Sequence, residues 1–578
     1  HRRGHPGAGN RGARMRHAGM ISFAAALPLV AGCATIPTSG PIQQGAEVGV
    51  ETTNQVIRVI ARPPQPDMTP TQIVSGFLQA SASFEDNHAV AREYLTPSAA
   101  TTWDPARGVA VYDGVPTIVP DGLTDVDMTA TSVGRIDDEG HYDVATPGDL
   151  IDLTFTMEFI NGNWRIATPP PGLLLSRSDV ERAFRVYEVF FLDPSFATLV
   201  PDPRYFPVDG PTAATAITRA LLSGPTEWLA PAVRTGFPDG TTLAVDAVPV
   251  VDGVARVDLD PQVRLADEET RQAFSAQLVW SLRQAPGVRF IDLNAGGQVL
   301  DVPGAINPQA MDSWPGFNPN GMPAGADSFG VIAGRVVDLD RNPPLPIPGG
   351  AGLGSPPLSG IAVSLQANRV AGLDADARLW IGDVSAGAPL TPAIEDPGQS
   401  RPSFGRGDDV WVVGPDGLLR RVSETGEVVE VQVDGLPPKA VLESASVSRD
   451  GTRIAMTVRR GPRTFVMLAV ITVREEVSRV ESPVRVDNRL TTVTDVAWAD
   501  DDRLVAIGVE GAGAPSVYEI DLSRGQVRSL GGPPGVTRIA AAPGAPILAA
   551  TEEGRIWTYT SGPWRLGPEG TSPAYPGS

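Results

Sequence analysis

The sequence predicts two α+β domains followed by an all-β propeller of five to six blades. From about residue 328 onward, apolar runs of strand length, separated by Gly and polar turns, recur every 40 to 51 residues, the length of one propeller blade. Upstream, helical and strand periodicities succeed one another over two stretches of domain size. The 62 Gly and 56 Pro among 578 residues supply the turn density of a β-rich chain with linkers. A chain this long exceeds what one hydrophobic core can organise, and three to four domains is the natural partition.

Residues 1–32 read as a secretory signal peptide. Arg2, Arg3, Arg11, Arg14 and Arg16 precede an apolar run from Met20 to Val30, with Met15 a plausible start within the basic stretch. The run is about 11 residues, or about 16 Å of helix, whereas a bilayer core needs about 20 residues. It is too short to span. Val30, Ala31, Gly32 and Cys33 follow at once, and this tetrapeptide resembles the bacterial lipobox. The resemblance implies that Val30, Ala31 and Gly32 are read by the signal peptidase and that Cys33 is the lipidated residue. The chemistry suits it: small residues let the backbone lie in a peptidase cleft, and the thiol can become a thioether carrying diacylglycerol. Two or three acyl chains hold firmly where one alone binds marginally. Cys33 is the only cysteine, so the exported domains hold together by packing without disulfides.

Charge decides what the chain avoids. Without residues 1–32 it carries 41 basic against 67 acidic residues, a formal charge of −26. Such a surface repels phosphate backbones and anionic headgroups. No nucleic acid is expected as a partner, and the membrane is reached through the N-terminal lipid alone.

Residues 33–68 form the lipidated tether, rich in Pro, Gly, Thr and Gln, with a mean reach of about 30–35 Å if it behaves as coil. The first α+β domain covers 69–170. Thr69-Pro70-Thr71-Gln72 reads as a capping box with Pro at the first helical position, and Ile73, Phe77, Ala80 and Phe84 fall on one helical face. A second helix carries Val90, Tyr94 and Leu95 and stops at Pro97. Ile151, Leu153, Phe155, Met157 and Phe159 alternate as a strand, and Asn161-Gly162 turns the chain back through Trp164 and Ile166. Helices followed by a long antiparallel sheet resemble the NTF2-like cone fold.

The second α+β domain covers 183–302: a strand over Arg185–Leu192, a helix over Ala213–Leu222, a hairpin, a helix and a strand. The hairpin pairs Leu243 and Val245 with Val257 and Leu259 across Asp252-Gly253. The long helix starts near Asp267, with Glu268 and Glu269 at its positive end, and buries Phe274, Leu278 and Leu282. Pro286-Gly287 ends it before Phe290-Ile291-Asp292-Leu293. Leu221-Leu222-Ser223-Gly224-Pro225, Phe237-Pro238-Asp239-Gly240-Thr241, Val257-Asp258-Leu259 and Gln277-Leu278-Val279 before Pro286-Gly287-Val288 resemble the GerMN domain.

Residues 303–327 form a Pro- and Gly-rich linker, and 328–578 the propeller. Its turns after each first strand fall near Asn368, Asp408, Asp450, Asp501 and Gly544. Five blades carry three strands each, and Val331–Asp340 with Pro344–Pro348 supply two strands of a sixth.

Catalytic chemistry is poorly supplied. His88 and His141 are the only histidines after the signal, and neither lies in a ligand-spaced cluster, so zinc sites and Ser-His or Cys-His machinery lack parts. Asp500-Asp501-Asp502 lacks the alternation and the bend glycine of a calcium loop and reads as a solvated hairpin turn, as do Asp374 and Asp376. Trp380, Trp411, Trp498 and Trp557 fall in blade strands and read as packing between blades. Ser448-Arg449-Asp450-Gly451 is a turn signature. No Gly loop opens a helix for phosphate. The expectation is no catalytic residue, no metal and no small-molecule cofactor.

Taken together, the lipobox, the N-terminal domain, the GerMN domain and the propeller resemble the lipoprotein LpqB family of high-GC Gram-positive bacteria. That resemblance implies a lipoprotein on the outer face of the cell membrane whose partner is the ectodomain of an MtrB-type sensor histidine kinase, within a two-component system for envelope and division control. The competing reading is a cell-wall protein that binds peptidoglycan or hydrolyses glycan with carboxylates. If Cys33 carries the anchor, Cys33→Ser should leave the membrane fraction or persist as unprocessed precursor in cell fractionation; normal membrane partitioning of the mature variant would contradict it.

Overall fold

The computed structural model describes residues 61–208, 212–322, 325–474 and 477–578. The signal peptide, the lipobox residues Val30, Ala31, Gly32 and Cys33, and most of the tether lie outside the described residues.

In the first domain, α1 (Pro70–Ser81) starts on the expected capping box: the Thr69 hydroxyl accepts from the Gln72 backbone and Gln72 Oε1 accepts from Thr69 N at 2.8 Å. It buries Ile73, Val74, Phe77 and Leu78. Phe84 lies beyond its end, in a turn, with ring centroids 4.6 Å from His88 and 5.3 Å from Phe184. The expected second helix is shorter, α2 (Ala89–Arg92), leaving Tyr94 and Leu95 outside it. Pro97 opens a helix instead of only ending one: α3 (Pro97–Thr102) has Pro97 at its first turn and Thr96 Oγ1 capping Ala99 N at 3.2 Å. The N–H that Pro lacks is one a helix start leaves unpaired anyway.

The sheet contains β1 (Val109–Asp121), β2 (Asp125–Ile136), β3 (Tyr142–Val144), β4 (Leu150–Ile160), β5 (Asn163–Thr168) and β6 (Leu173–Ser176), in the order β5-β4-β2-β1-β6 with β3 on β2. Asn161 and Gly162 both take positive φ, 51° and 81°, which closes the β4–β5 turn as expected. The sheet is mixed, not antiparallel as the sequence suggests: β6 runs parallel to β1, pairing Leu173 with Val109. Leu173, Leu174 and Leu175 are all buried. A run with no polar face goes to the covered interior, and parallel pairing places it there.

A short helix, α4 (Arg177–Ala183), leads into the second domain, which contains β7 (Phe184–Leu192), β8 (Leu199–Pro207), α5 (Ala213–Ser223), β9 (Val250–Val251), β10 (Val254–Leu259), α6 (Glu268–Leu282) and β11 (Phe290–Ala295). β8 goes beyond the sequence expectation, because Pro201, Pro203 and Pro207 argue against a strand. All three sit at positions of one parity opposite β7, facing Phe190, Glu188 and Phe184, so the donors they lack would point away from the partner. Leu243 pairs with Leu259 as the hairpin requires, and Asp267 caps α6 by accepting from Thr270 N at 2.8 Å. Every residue of α6 from Ala273 to Leu282 is buried, so this helix is covered all round.

The sequence features that resemble GerMN have structural reasons. Gln277 Oε1 accepts from Gly236 N at 2.6 Å while its Nε2 donates to Phe190 O at 2.9 Å, tying α6 to a loop and to β7. A Cβ at Gly236 would meet Phe274 N at 2.8 Å, so only glycine lets the loop come this close. Arg204, paired with Asp202 at 2.7 Å, donates to Gly224 O at 2.6 Å and so holds the turn after α5.

Among the described residues the propeller has six blades of four strands, the third and fourth joined into one eight-stranded sheet by parallel pairing of their outer strands, Gln432 with Arg479 and Val433 with Val480. Blades 2 to 6 start at Ser359, Ser403, Val441, Leu490 and Val536. Each adds an outer fourth strand beyond the three legible in the sequence, for example Leu390–Ile394 and Gln526–Gly531. Outer strands are half solvated, so their apolar pattern is weak. Blade 1 is composite: Phe329–Ile332, Arg335–Asp338 and Leu345–Pro346 are completed by Thr571–Ala574, which pairs with Phe329–Ile332 across the ring closure. Residues 303–322 pack against the second domain instead of running free as a linker: Trp280 Nε1 donates to Trp314 O at 3.2 Å, and Trp314 Nε1 to Gln309 Oε1 at 3.0 Å.

Two buried arginines hold the blades together from within. Arg401 donates to Ile361 O, Ile539 O and Pro573 O at 3.2, 2.9 and 2.9 Å. Arg449 donates to Pro576 O, Trp498 O and Ala541 O at 3.1, 3.1 and 3.0 Å, and burial pushes its guanidinium down to about 10. Arg449→Met strips three buried carbonyls of their donor, and buried acceptors left unpaired cost about 1–3 kcal/mol each. Urea denaturation should show a loss of about 3 kcal/mol or more; an unchanged midpoint would contradict this role.

Candidate functional site

The residues that stand out for chemistry converge where the three domains meet. The first domain contributes His141 and Tyr142. His141 stacks on Trp228 of the second domain at 5.7 Å and 17°, and Tyr205 N donates to Gly140 O at 2.9 Å. Trp228 Nε1 then donates to Ser482 O of blade 4 at 2.8 Å, so one indole touches all three bodies. Val470 of blade 4 belongs to the buried core of the second domain. Asn320 Nδ2 reaches Asp500 at 2.9 Å. These contacts make the junction a packed interior.

Glu188 of β7 faces this junction. Its backbone is gripped at both ends by Gln284, with 2.9 Å to the N–H and 2.7 Å from the amide to the carbonyl. That grip fixes where the side chain leaves the strand. Its Oε1 is shut off from solvent and accepts no hydrogen bond. Burial, and then the charges of Asp501 and Asp502, hold its carboxyl well above the usual carboxylate range. Burial also pushes Asp501 up to about 7, with Asp500 adding repulsion, and raises Asp502.

Cations stand close, and Arg453 keeps a buried Nε that donates to no acceptor. Arg453 is paired with Asp450 at 2.6 Å. Arg503 serves Asp502 at 3.1 Å and Asp500 at 3.5 Å. Arg283 lies over the Trp280 ring at 3.6 Å. The Asp450 turn is internally satisfied, with Ser448 Oγ and Thr452 N both donating to Asp450 Oδ1 at 2.8 Å, which is why Ser448-Arg449-Asp450-Gly451 reads as a turn.

The candidates named from the sequence separate cleanly on this geometry. Asp500-Asp501-Asp502 does form the turn after the first strand of blade 5, but it is half-buried beneath Glu188 and Asn320 rather than fully solvated as expected. His88 is buried against Phe84 and Trp103, and burial lowers it to about 4, so it is neutral packing. Trp411 and Trp498 are buried between strands, with Nε1 donating to Asp409 at 2.6 Å and to Ser446 O at 2.9 Å. Trp380 and Trp557 are half-buried. Asp374 binds its own turn, accepting from Asp376 N, Arg378 N and Trp380 Nε1, while Asp376 pairs with Arg378 at 3.0 Å. Glu188 and Trp228 escape sequence reasoning. The available signal was a lone carboxylate inside the apolar strand Phe184–Leu192.

A second feature is a groove of about 630 Å³ between the loop after β7 and blades 3 and 4. Asp193, Arg406, Asp409, Arg421 and Val473 are among the residues that line it.

Family models match in the same order as the domains: "Lipoprotein LpqB, N-terminal domain" over residues 63–181, "Sporulation and spore germination" over 188–301 and "Lipoprotein LpqB beta-propeller domain" over 334–576. Lipoprotein LpqB of Thermobifida fusca (strain YX) is 32% identical over 97% of this chain and 99% of its own. The chain belongs to the lipoprotein LpqB family. Lipoprotein LpqB of Streptomyces coelicolor is 28% identical over 98% of this chain and 99% of its own. Among solved structures, TolB from Acinetobacter baumannii is similar over 44% of this chain and 66% of that one, at 16% identity and a TM-score of 0.34. LpqB proteins are lipoproteins by name, and among the described residues no helix is long and apolar enough to cross a membrane.

The raised carboxyls give a pH dependence of known sign. Asp501 holds a proton up to about 7 in the fold but releases it at about 3.9 when unfolded. The folded state therefore binds more protons between those values and gains stability as pH falls. In chelator-treated buffer the urea midpoint should rise from about pH 8 to about pH 6, and Asp501→Asn should flatten that slope while stabilising the fold at the alkaline end. His88, lowered to about 4 in the fold, opposes this slope equally in both proteins, so equal slopes in the wild type and Asp501→Asn would contradict the arrangement.

Proposed function

We propose that this chain is a lipid-anchored adaptor on the outer face of the cytoplasmic membrane, acting as accessory partner to the ectodomain of a sensor histidine kinase of the MtrB type. Membership of a family named as lipoproteins supports the anchor, together with the Val30-Ala31-Gly32-Cys33 tetrapeptide. The observation that carries the adaptor reading is the junction. Three domains packed together by Trp228, His141, Val470 and Asn320 form one compact unit, which can present a wide surface to a partner. Of the two histidines in the described residues, His88 is taken up by packing and His141 stacks on Trp228. The proposed role is regulatory and non-enzymatic.

The groove beneath the loop after β7 is the face proposed to receive the partner, since loops of two domains converge there and loops on rigid scaffolds carry recognition. Val473 lines it and is half exposed. A photo-crosslinker at Val473 in intact cells should capture a membrane-embedded kinase. Recovery of peptidoglycan fragments and no membrane protein would overturn the adaptor reading in favour of a wall-binding one.

A further inference from the structure

Three carboxylates from two domains converge at the junction. Glu188, Asp501 and Asp502 each place a side-chain oxygen so that all three lie within 4.8 Å of one another. Glu188 comes from β7 of the second domain, and the two aspartates come from the blade 5 turn of the propeller. Like charges brought this close and out of water repel strongly. Asp502 is answered by Arg503 at 3.1 Å; Arg453 gives one nitrogen to Asp450 at 2.6 Å and attracts Glu188 and Asp501, while its buried Nε donates to no acceptor. Glu188 Oε1 is sealed from solvent and has no hydrogen-bond donor.

A separate residue points the same way. Ser523 is 4% exposed, and its hydroxyl has no hydrogen-bond partner. It lines the enclosed cavity that Glu188 and Asp502 also line, between the first domain, the second domain and the propeller. A buried hydroxyl without a partner is costly, and the space it lines is flanked by Glu188 and Asp502 together with Arg453, Arg485 and His141. The donors are all oxygen, with no sulfur and no imidazole in the cluster. Hard oxygen sets select hard divalent cations.

We propose that Glu188, Asp501 and Asp502 form a divalent-cation site of the calcium type, bridging the second domain to the propeller. Calcium accepts about six to eight oxygens in flexible geometry, with carboxylates binding through one or both oxygens, whereas magnesium demands a near-octahedral set and keeps its waters. Ligands that converge from two domains suit the former. The cation converts repulsion across the domain junction into attraction, so its presence sets how firmly the second domain is held on the propeller. This inference is independent of the kinase reading above.

The test uses the full chain, stripped with EDTA and titrated with CaCl2 or MgCl2 at about pH 7.5. Calcium should bind once per chain and raise the melting temperature by several degrees, with magnesium at least tenfold weaker. Glu188→Gln should weaken calcium binding at least tenfold and abolish the thermal shift while leaving the circular dichroism of the blades unchanged. Asp501→Asn, which alters only the propeller side, serves if the first variant does not fold. Absence of binding at about 10 mM calcium, above the range of extracellular calcium modules, would overturn the proposal. So would variants that bind calcium as the wild type does, because the ion would then sit elsewhere on an acidic surface. A wild type indifferent to calcium, with both variants more stable at the same pH, would also overturn it and leave a proton as the neutralising species.

Discussion

A propeller is a ring, and the whole molecule rests on how that ring is closed. Thr571–Ala574 completes blade 1 by pairing with Phe329–Ile332, more than two hundred residues earlier in the chain. Without that pairing both strands present bare edges, and the blades lose the radial closure that protects them. The closure is reinforced from within. Arg401 and Arg449 direct their guanidinium donors at carbonyls of blades 1, 2, 5 and 6 and of the segment after the closing strand. Long-range closure of this kind is entropically costly to reach, so the contacts that fix it are buried and hydrogen-bonded.

The closed ring then serves as a floor. The second domain sits over the turn after the first strand of blade 5, through Glu188, and over the outer strand of blade 4, through Trp228, and shares Val470 with the blade beneath. The first domain completes the junction with His141 and Tyr142. The result is a strongly acidic body with a cluster of carboxylates at the seam between the domains. A seam of that kind responds to protons and to cations in a way that a purely apolar interface does not, because its worst-placed groups can be neutralised from outside.

Legibility followed periodicity. The Thr69 capping box, the Asn161-Gly162 turn and the second strands of the blades, such as Arg369–Leu373, are plain in the sequence. Each depends on neighbours within a few residues. β8 is hidden by its prolines and the fourth blade strands by their solvated pattern. Pro97 reads as a stop because the same residue serves to end one helix and to begin another. Of the candidate site, the Asp500–Asp502 turn is recognisable as a turn, but its burial is not, and Glu188 does not stand out. A carboxylate in an apolar strand says that something must answer it, without saying what.

By itself the sequence determined the order and kind of the parts: a tetrapeptide resembling a lipobox, two α+β domains, a repeated unit of short strands, and a surplus of acidic residues. These are local patterns or sums over the chain, and neither needs to know which residues become neighbours. The tertiary structure alone decided the blade count of six, the strand that closes the ring and the meeting of Glu188 with Asp501 and Asp502. Those depend on contacts between segments hundreds of residues apart, where burial sets the energy of a charge and only folding determines what is buried.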